Sequence, residues 1–237
     1  MESLLVTNDY ASLGEGEGLR VVYDKTTDLV WIDAPQPLCG FVDLGLPSGL
    51  KWASCNVGAE KPEDFGLYFA WGETQGYSSK TDEKQFIWGD YKWCGGWLDN
   101  LTKYNNNSSY GTVDNLTTLE QVDDAAYQSD NTCRMPTKAD FEELTANTTS
   151  IWETLNGVDG KRFTSKTNGN SIFVPAAGIC YNSTVHFIDR KGYYWSSSLN
   201  ESRPDLGWYL DLDFYSSDTY LGDCDRRCGC SIRAVKK

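Results

Sequence analysis

The densest group of reactive side chains lies near the C-terminal end of the sequence. Cys224, Cys228 and Cys230 stand close together, with Arg226 and Arg227 between the first two and Asp223 and Asp225 beside them. A reactive thiolate needs a cationic neighbourhood, which the arginines supply and the aspartates oppose. The same thiols have the right ligand type for zinc, but they need a fourth ligand and their spacing matches no zinc motif. Asp205, Asp211, Asp213, Asp218, Asp223 and Asp225 are hard oxygen donors clustered in sequence, without an EF-hand loop. No cofactor is therefore expected, a structural calcium being the one this donor set would admit. His186 is the sole histidine, and its neighbours Val185 and Phe187 suggest an ordinary strand position rather than a catalytic one. Asp211 and Asp213, two apart on a strand, merely share a face, and nothing ties them to a glycosidase geometry.

These residues sit in a chain of 237 residues with a formal charge of −13, 40% hydrophobic and 14% aromatic. Such a length buries about three quarters of the unfolded surface, and the composition is globular. The negative charge repels a phosphate backbone, so nucleic acid is not expected as a partner. No run approaches the roughly twenty apolar residues of a membrane span, and Met1 to Asn8 lacks a basic region followed by an apolar stretch. No transmembrane segment is expected, and an exported origin stays open. The eight cysteines are too thinly spread for a dense disulfide scaffold.

The elements that must position the tail are short. Leu19 to Tyr23 and Leu29 to Ile32 read as a hairpin, followed by a linker at 34–39 marked by Pro35 and Pro37. This divides the chain into an N-terminal β segment with its linker, 1–38, and one domain, 39–237. Within the domain, Thr137 to Leu144 reads as a helix with Thr137 as cap, Asp140 three residues on, and Phe141 and Leu144 on its apolar face. Leu116 to Tyr127 is a second helical stretch with Thr117 or Thr118 as cap, and Lys61 to Asp64 a very short one. The Asn-rich stretches Tyr104 to Ser109 and Lys166 to Asn170 belong in loops that bury little. Tyr193 to Ser198, Trp208 to Phe214 and Cys230 to Val235 are β-like. The middle run alternates, which predicts Trp208, Leu210, Leu212 and Phe214 in the core and Tyr209, Asp211 and Asp213 toward solvent. Tyr215 to Cys230 reads as exposed loop and edge strand.

Several blocks now add up to a family likeness: Phe41 to Val57 (FVDLGLPSGLKWASCNV), Phe65 to Glu73 (FGLYFAWGE), Arg134 to Leu144 (RMPTKADFEEL), Val174 to Gly178 (VPAAG), Tyr194 to Ser198 (YWSSS) and Ser231 to Val235 (SIRAV). In this order they resemble the paralogous domains of Fibrobacter and gut Bacteroidetes, related to the formylglycine-generating-enzyme type of C-type lectin fold. The implied fold class is α+β: a C-type lectin fold with few helices, mixed and antiparallel short strands and extensive loops. The tail further resembles the variable proteins of diversity-generating retroelements, in which adenine-directed mutagenesis scatters substitutions over one face but never produces Lys, Glu, Gln, Met or Trp from Asn codons. From Gly192 to Val235 this chain has no Lys, Gln or Met, and Glu201, Trp195 and Trp208 would be fixed positions.

The resemblance implies a ligand-binding protein with a variable face within about 199–230, displayed outside a bacterium, at its surface or on a phage particle. Its face would comprise Asp205, Tyr209, Asp211, Asp213, Tyr215, Asp218, Tyr220, Gly222, Asp223, Cys224, Asp225, Arg227, Cys228 and Cys230. Leu212, Phe214, Leu221, Arg226, Gly229 and Ile232 would be the interleaved scaffold. The crowded cysteines are then random outcomes of mutagenesis rather than designed chemistry. Tyr209, Tyr215 and Tyr220 would supply rigid contact rings, and the acidic face would favour a basic partner, an unidentified protein or cell-surface ligand whose binding weakens with salt. No enzymatic activity is expected, since the blocks around the catalytic cysteines of formylglycine-generating enzymes are not recognisable. The alternatives are a fixed surface or fimbrial-tip adhesion domain and, more distantly, a cysteine-dependent oxidoreductase of the formylglycine-generating type. Carbohydrate binding is not implied, because the sugar-binding tripeptides of calcium-dependent lectins are absent from the sequence.

Overall fold

The computed structural model of the protein describes residues 20–24, 29–33, 39–79, 84–216 and 219–237. The chain divides into two units, Met1–Leu38 and Cys39–Lys237. In the first, β1 (Arg20–Asp24) and β2 (Leu29–Asp33) pair antiparallel, Arg20 opposite Asp33 and Asp24 opposite Leu29, as their β-rich composition predicts. The proline-marked stretch 34–38 and Asp218 lie outside the described residues.

The second unit is mostly antiparallel β-structure in small sheets, with few helices. Its two ends meet in one sheet, where β4 (Lys51–Ala53) lies between β3 (Phe41–Asp43) and the C-terminal β13 (Val235–Lys236). A disulfide between Cys39 and Cys55 clips the flanks of β3 and β4. A second sheet holds β5 (Thr148–Leu155), β6 (Val158–Ser165) and β7 (Ser171–Pro175), and β8 (Ile179–Tyr181) and β9 (Thr184–His186) form a hairpin. The third sheet is β10 (Lys191–Leu199), β11 (Leu206–Asp213) and β12 (Thr219–Asp225), with β11 in the middle and β12 at an edge. Among the described residues parallel pairing is confined to isolated bridges, such as Tyr194 with Ser231.

The helix at Thr137 forms as its sequence requires: α2 spans Lys138–Asn147, the Thr137 hydroxyl accepts from the Asp140 amide, and the Asp140 carboxylate accepts from the Thr137 amide at 2.7 Å. Its Phe141 and Leu144 are buried, with the Phe141 ring 5.4 Å from Trp52. The other helical expectations are corrected. Thr118 bridges to Ser198 and the Leu119 amide donates to the Ser197 carbonyl, so this β-branched stretch gives its backbone bonds to β10. A 3-10 turn over Gln121–Asp123 follows, and only then α1 (Ala125–Ser129), capped by Asp124 rather than by a threonine. Lys61 to Asp64 is a turn closed by the Asp64 amide on the Lys61 carbonyl. Cys230 to Val235 is not one strand: it makes single bridges through Cys230 and Ser231 before β13.

β10 and β11 run through the middle of the unit, and this decides the burial of the tail. Tyr194, Leu210 and Leu212 pack on one side with Phe141, Leu144 and Trp52. Tyr193, Trp195 and Tyr209 pack on the other with Trp71, Cys228 and Cys230. Two indoles lock this arrangement reciprocally: Trp71 Nε1 donates to the Ser196 carbonyl and Trp195 Nε1 to the Phe69 carbonyl, both at 2.8 Å. The expected one-sided burial of β11 is therefore corrected. Tyr209 and Asp211 are buried, whereas Trp208 is only half-buried and Phe214 is exposed. The Asn-rich loop is corrected too: Tyr104 and Asn105 are fully buried, because Asp114 accepts their two amides and Asn105 bonds the Thr112 carbonyl.

Candidate ligand-binding face

On the β10–β11–β12 sheet, strand register fixes which side chains share a face. Tyr193 and Tyr220 stand directly opposite Asp211 on its two sides, and Gly222 stands opposite Tyr209. With the period of two along each strand, one face therefore carries Lys191, Tyr193, Trp195, Gly207, Tyr209, Asp211, Asp213, Tyr220, Gly222 and Cys224; its Trp195–Tyr209 part is covered by the Trp71 core, and it opens only toward half-buried Lys191 and Asp213 and exposed Tyr220. The Tyr193 and Tyr209 rings are 5.1 Å apart. Gly222 is there because a Cβ would fall 2.6 Å from the Tyr209 hydroxyl, so any side chain at 222 displaces that ring.

Asp211 is the unusual member. It is only 6% exposed, and its Oδ1 is buried without a hydrogen-bond donor among the described residues. Burial pushes its carboxyl up to about 6, with Lys191 opposing that shift and Asp213 adding to it. Its neighbour Asp213 behaves oppositely, held below the usual carboxylate range by the Lys191 ammonium at 2.8 Å.

The face runs into an apolar tip. In the β11–β12 turn Tyr215 is 79% exposed, Phe214 is exposed beside it, and the Tyr215 amide is tied to Asp213 Oδ1. Ile188, exposed in the turn after β9, joins them around one concavity, the Phe214 amide donating to the Arg190 carbonyl; Phe187 is exposed in the same turn. Phe187 and Asp189 hold this turn with left-handed φ of 64° and 60°, an unusual conformation for residues bearing side chains. Between the turns lies a concavity of about 430 Å³ lined by Asp159, Ile188, Asp189, Arg190, Phe214 and Tyr215.

The structure separates the residues expected to form the face. Tyr215, Tyr220 and Asp223 are exposed; Asp213, Asp225 and Arg227 are half-buried at its rim. Asp223 accepts from Asn200, and Asp225 pairs with Arg227 at 2.9 Å. Asp205 is buried, its carboxylate bound by Arg203 and its carbonyl by the Arg226 amide, which makes it a structural position. Cys228 and Cys230 are core residues, and Cys224 is half-buried against them. Sequence reasoning missed Lys191, Tyr193, Phe187, Ile188 and Arg190. The available signal was an apolar pair followed by Asp189 and Arg190 between two β-like runs, a turn with its hydrophobic residues outward.

No family model, curated protein or solved structure matches this chain.

The thiols do not resemble a nucleophilic pair. Cys224 touches Cys228 and Cys230, and its thiol is pushed well up by burial. Cys228 is raised by its contact with Cys224 and by burial, and burial raises Cys180 to about 11. A thiol so raised holds almost no thiolate at neutral pH. Among the described residues no group of three or more His, Cys, Asp or Glu side chains is arranged to hold a metal ion. His186 lies on β9 with its ring stacked 3.9 Å from that of Tyr181. We expect alkylation of the folded protein at neutral pH to reach half-buried Cys94 first and to spare Cys133, Cys180, Cys228 and Cys230 until unfolding. Rapid paired labelling of Cys224 and Cys228 in the native state, read by mass spectrometry, would restore the thiol-enzyme reading.

Proposed function

We propose that this protein is a non-enzymatic recognition module: a C-type lectin-like scaffold of the retroelement variable-protein type that binds an unidentified protein or cell-surface ligand through the β10–β12 face and its tip. The observation that carries this reading is the gathering of Ile188, Phe214 and Tyr215, all large and exposed, around one concavity at the end of β11, with Tyr220 exposed on the neighbouring edge strand. Folding gains nothing from leaving such residues in water, whereas contiguous apolar surface rimmed by charge is the usual anatomy of a binding patch. Tyrosines there offer large contact area at low entropic cost. The charge of −13 and the rim aspartates favour a basic partner. The Cys39–Cys55 disulfide supports display in an oxidising compartment, outside a bacterium or on a phage particle.

Diversification of this face is tested at the native locus. Across isolates, substitutions should fall in the codons of 213, 215, 220, 223, 225 and 227, at adenines of a nearby non-coding copy, and should spare 205, 222, 228 and 230. Identical tails and no such copy would move the protein to the second reading, a fixed adhesion domain. That alternative draws support from the structural roles of Asp205, Gly222 and Cys230 inside the tail.

A further inference from the structure

Among the described aspartates of the tail, all but Asp211 have a donor. Asp205 has Arg203, Asp213 has Lys191, Asp223 has Asn200 and Asp225 has Arg227. Asp211 Oδ1 is buried without one; of the two cations that act on it, Lys191 is engaged by Asp213 and the buried Lys161 donates to the Thr219 hydroxyl. The register sets Tyr193 and Tyr220 on either side of this carboxylate, with Tyr209 one position along the same face. We propose that Asp211 is the seat for a cationic side chain, an ammonium or guanidinium, presented by a protein partner and entering from the open end of the face, where exposed Tyr220 stands opposite Asp211 and buried Tyr193 and Tyr209 form the floor.

The chemistry of the seat selects its occupant. An anion meets a carboxylate, and an apolar group leaves that carboxylate as unsatisfied as before. A cation gains a charge-assisted hydrogen bond from Asp211, which offsets its own desolvation. The occupant belongs to a protein rather than being a free amine because the seat continues along β11 into Asp213 and the exposed Phe214 and Tyr215, a surface a small amine leaves uncovered. The inference rests on the recognition reading above and specifies what its centre binds.

The test uses the intact chain labelled with 15N and 13C. It is titrated with Nα-acetyl-lysine amide, with Nα-acetyl-arginine amide, and with the lysine compound neutralised by Nε-acetylation. The two cationic probes should shift the amide signals of Tyr193, Asp211 and Tyr220 and the Asp211 carboxyl carbon, and the neutral probe should not. Asp211→Asn should weaken the response at least about tenfold. An equal response to the neutral probe, a response unchanged in Asp211→Asn, or none to either cation would overturn the proposal. A binder selected from a displayed peptide library separates this failure from that of the recognition reading. If its affinity falls with Tyr215→Ala but not with Asp211→Asn, the face stands and the seat is wrong. If neither substitution matters, both readings fall.

Discussion

Replacing Arg226 with Met will cost about 3–5 kcal/mol of folding stability, although the two side chains have similar bulk. Arg226 is fully buried, and its bonds reach segments that lack regular structure. Its guanidinium donates to the Tyr91 hydroxyl at 2.9 Å and to the carbonyls of Tyr104, Pro204 and Lys103 at 2.9–3.0 Å. Its plane lies over the Trp71 ring at 4.8 Å. Methionine keeps the volume but donates nothing, so these acceptors lose their partner in a site where water has little room. Burial keeps the Tyr91 phenol protonated far beyond its ordinary range, and its own proton already goes to the Trp71 carbonyl. It cannot stand in as donor for the others. Chemical denaturation should show a lower midpoint at unchanged slope, and the melting temperature should fall by roughly 10 °C for a domain this size. A loss below about 1 kcal/mol would mean that the loops around 91, 104 and 204 are held by something else.

Asp211→Asn should do the reverse and stabilise the protein above pH 6 by about 1–3 kcal/mol. The folded state holds the Asp211 proton up to about pH 6, whereas an unfolded aspartate releases it near pH 3.9. Between those values unfolding releases a proton, so the contribution of Asp211 falls as pH rises through the window and its full cost is present above it. Asparagine never ionises, so its advantage should be complete at neutral pH and vanish below about pH 4. Lys191, Asp213, Lys161, Tyr193, Tyr209, Tyr220, Cys224 and Cys230 face or lie near this group. They are present in both proteins, and the difference between the two pH profiles isolates position 211. A variant less stable than the parent at pH 7 would show that Oδ1 has a donor after all, and the cation seat would lose its foundation. Stability given up at a binding position is a common mark of function, because the ligand supplies what the fold withholds.

How much of this was legible beforehand follows from the range of each interaction. The β1–β2 hairpin and the Thr137 capping box depend on residues a few positions apart, and both formed as read. Leu116 to Tyr127 had the spacing of a helix, but β10 offered its first residues a sheet partner and the helix began only at Ala125. Tyr104 and Asn105 looked too polar in company to be buried until Asp114, ten residues on, supplied acceptors for their amides. For the candidate site, Tyr215 and Tyr220 were legible as exposed rings, and Asp213 as a surface carboxylate at the rim. Asp211 was misread as solvent-facing because alternation along β11 identifies two faces without saying what covers either.

Composition and local spacing already required a globular, acidic chain of short strands with few helices, and they placed the start of its best helix. These are properties of composition and of neighbours within a turn or a strand. The pairing of Cys39 with Cys55 and the room that Gly222 leaves for Tyr209 came only with the folded chain, whereas the placing of Arg226 in the scaffold and Arg227 on the face was already implied by the family resemblance. The fold also leaves Asp211, between Tyr193 and Tyr220 in the register, with a buried Oδ1 that has no donor among the described residues. Each of these depends on segments brought together across the sheet or from distant parts of the chain, and burial there is set by what the opposite layer places over a residue rather than by its own type.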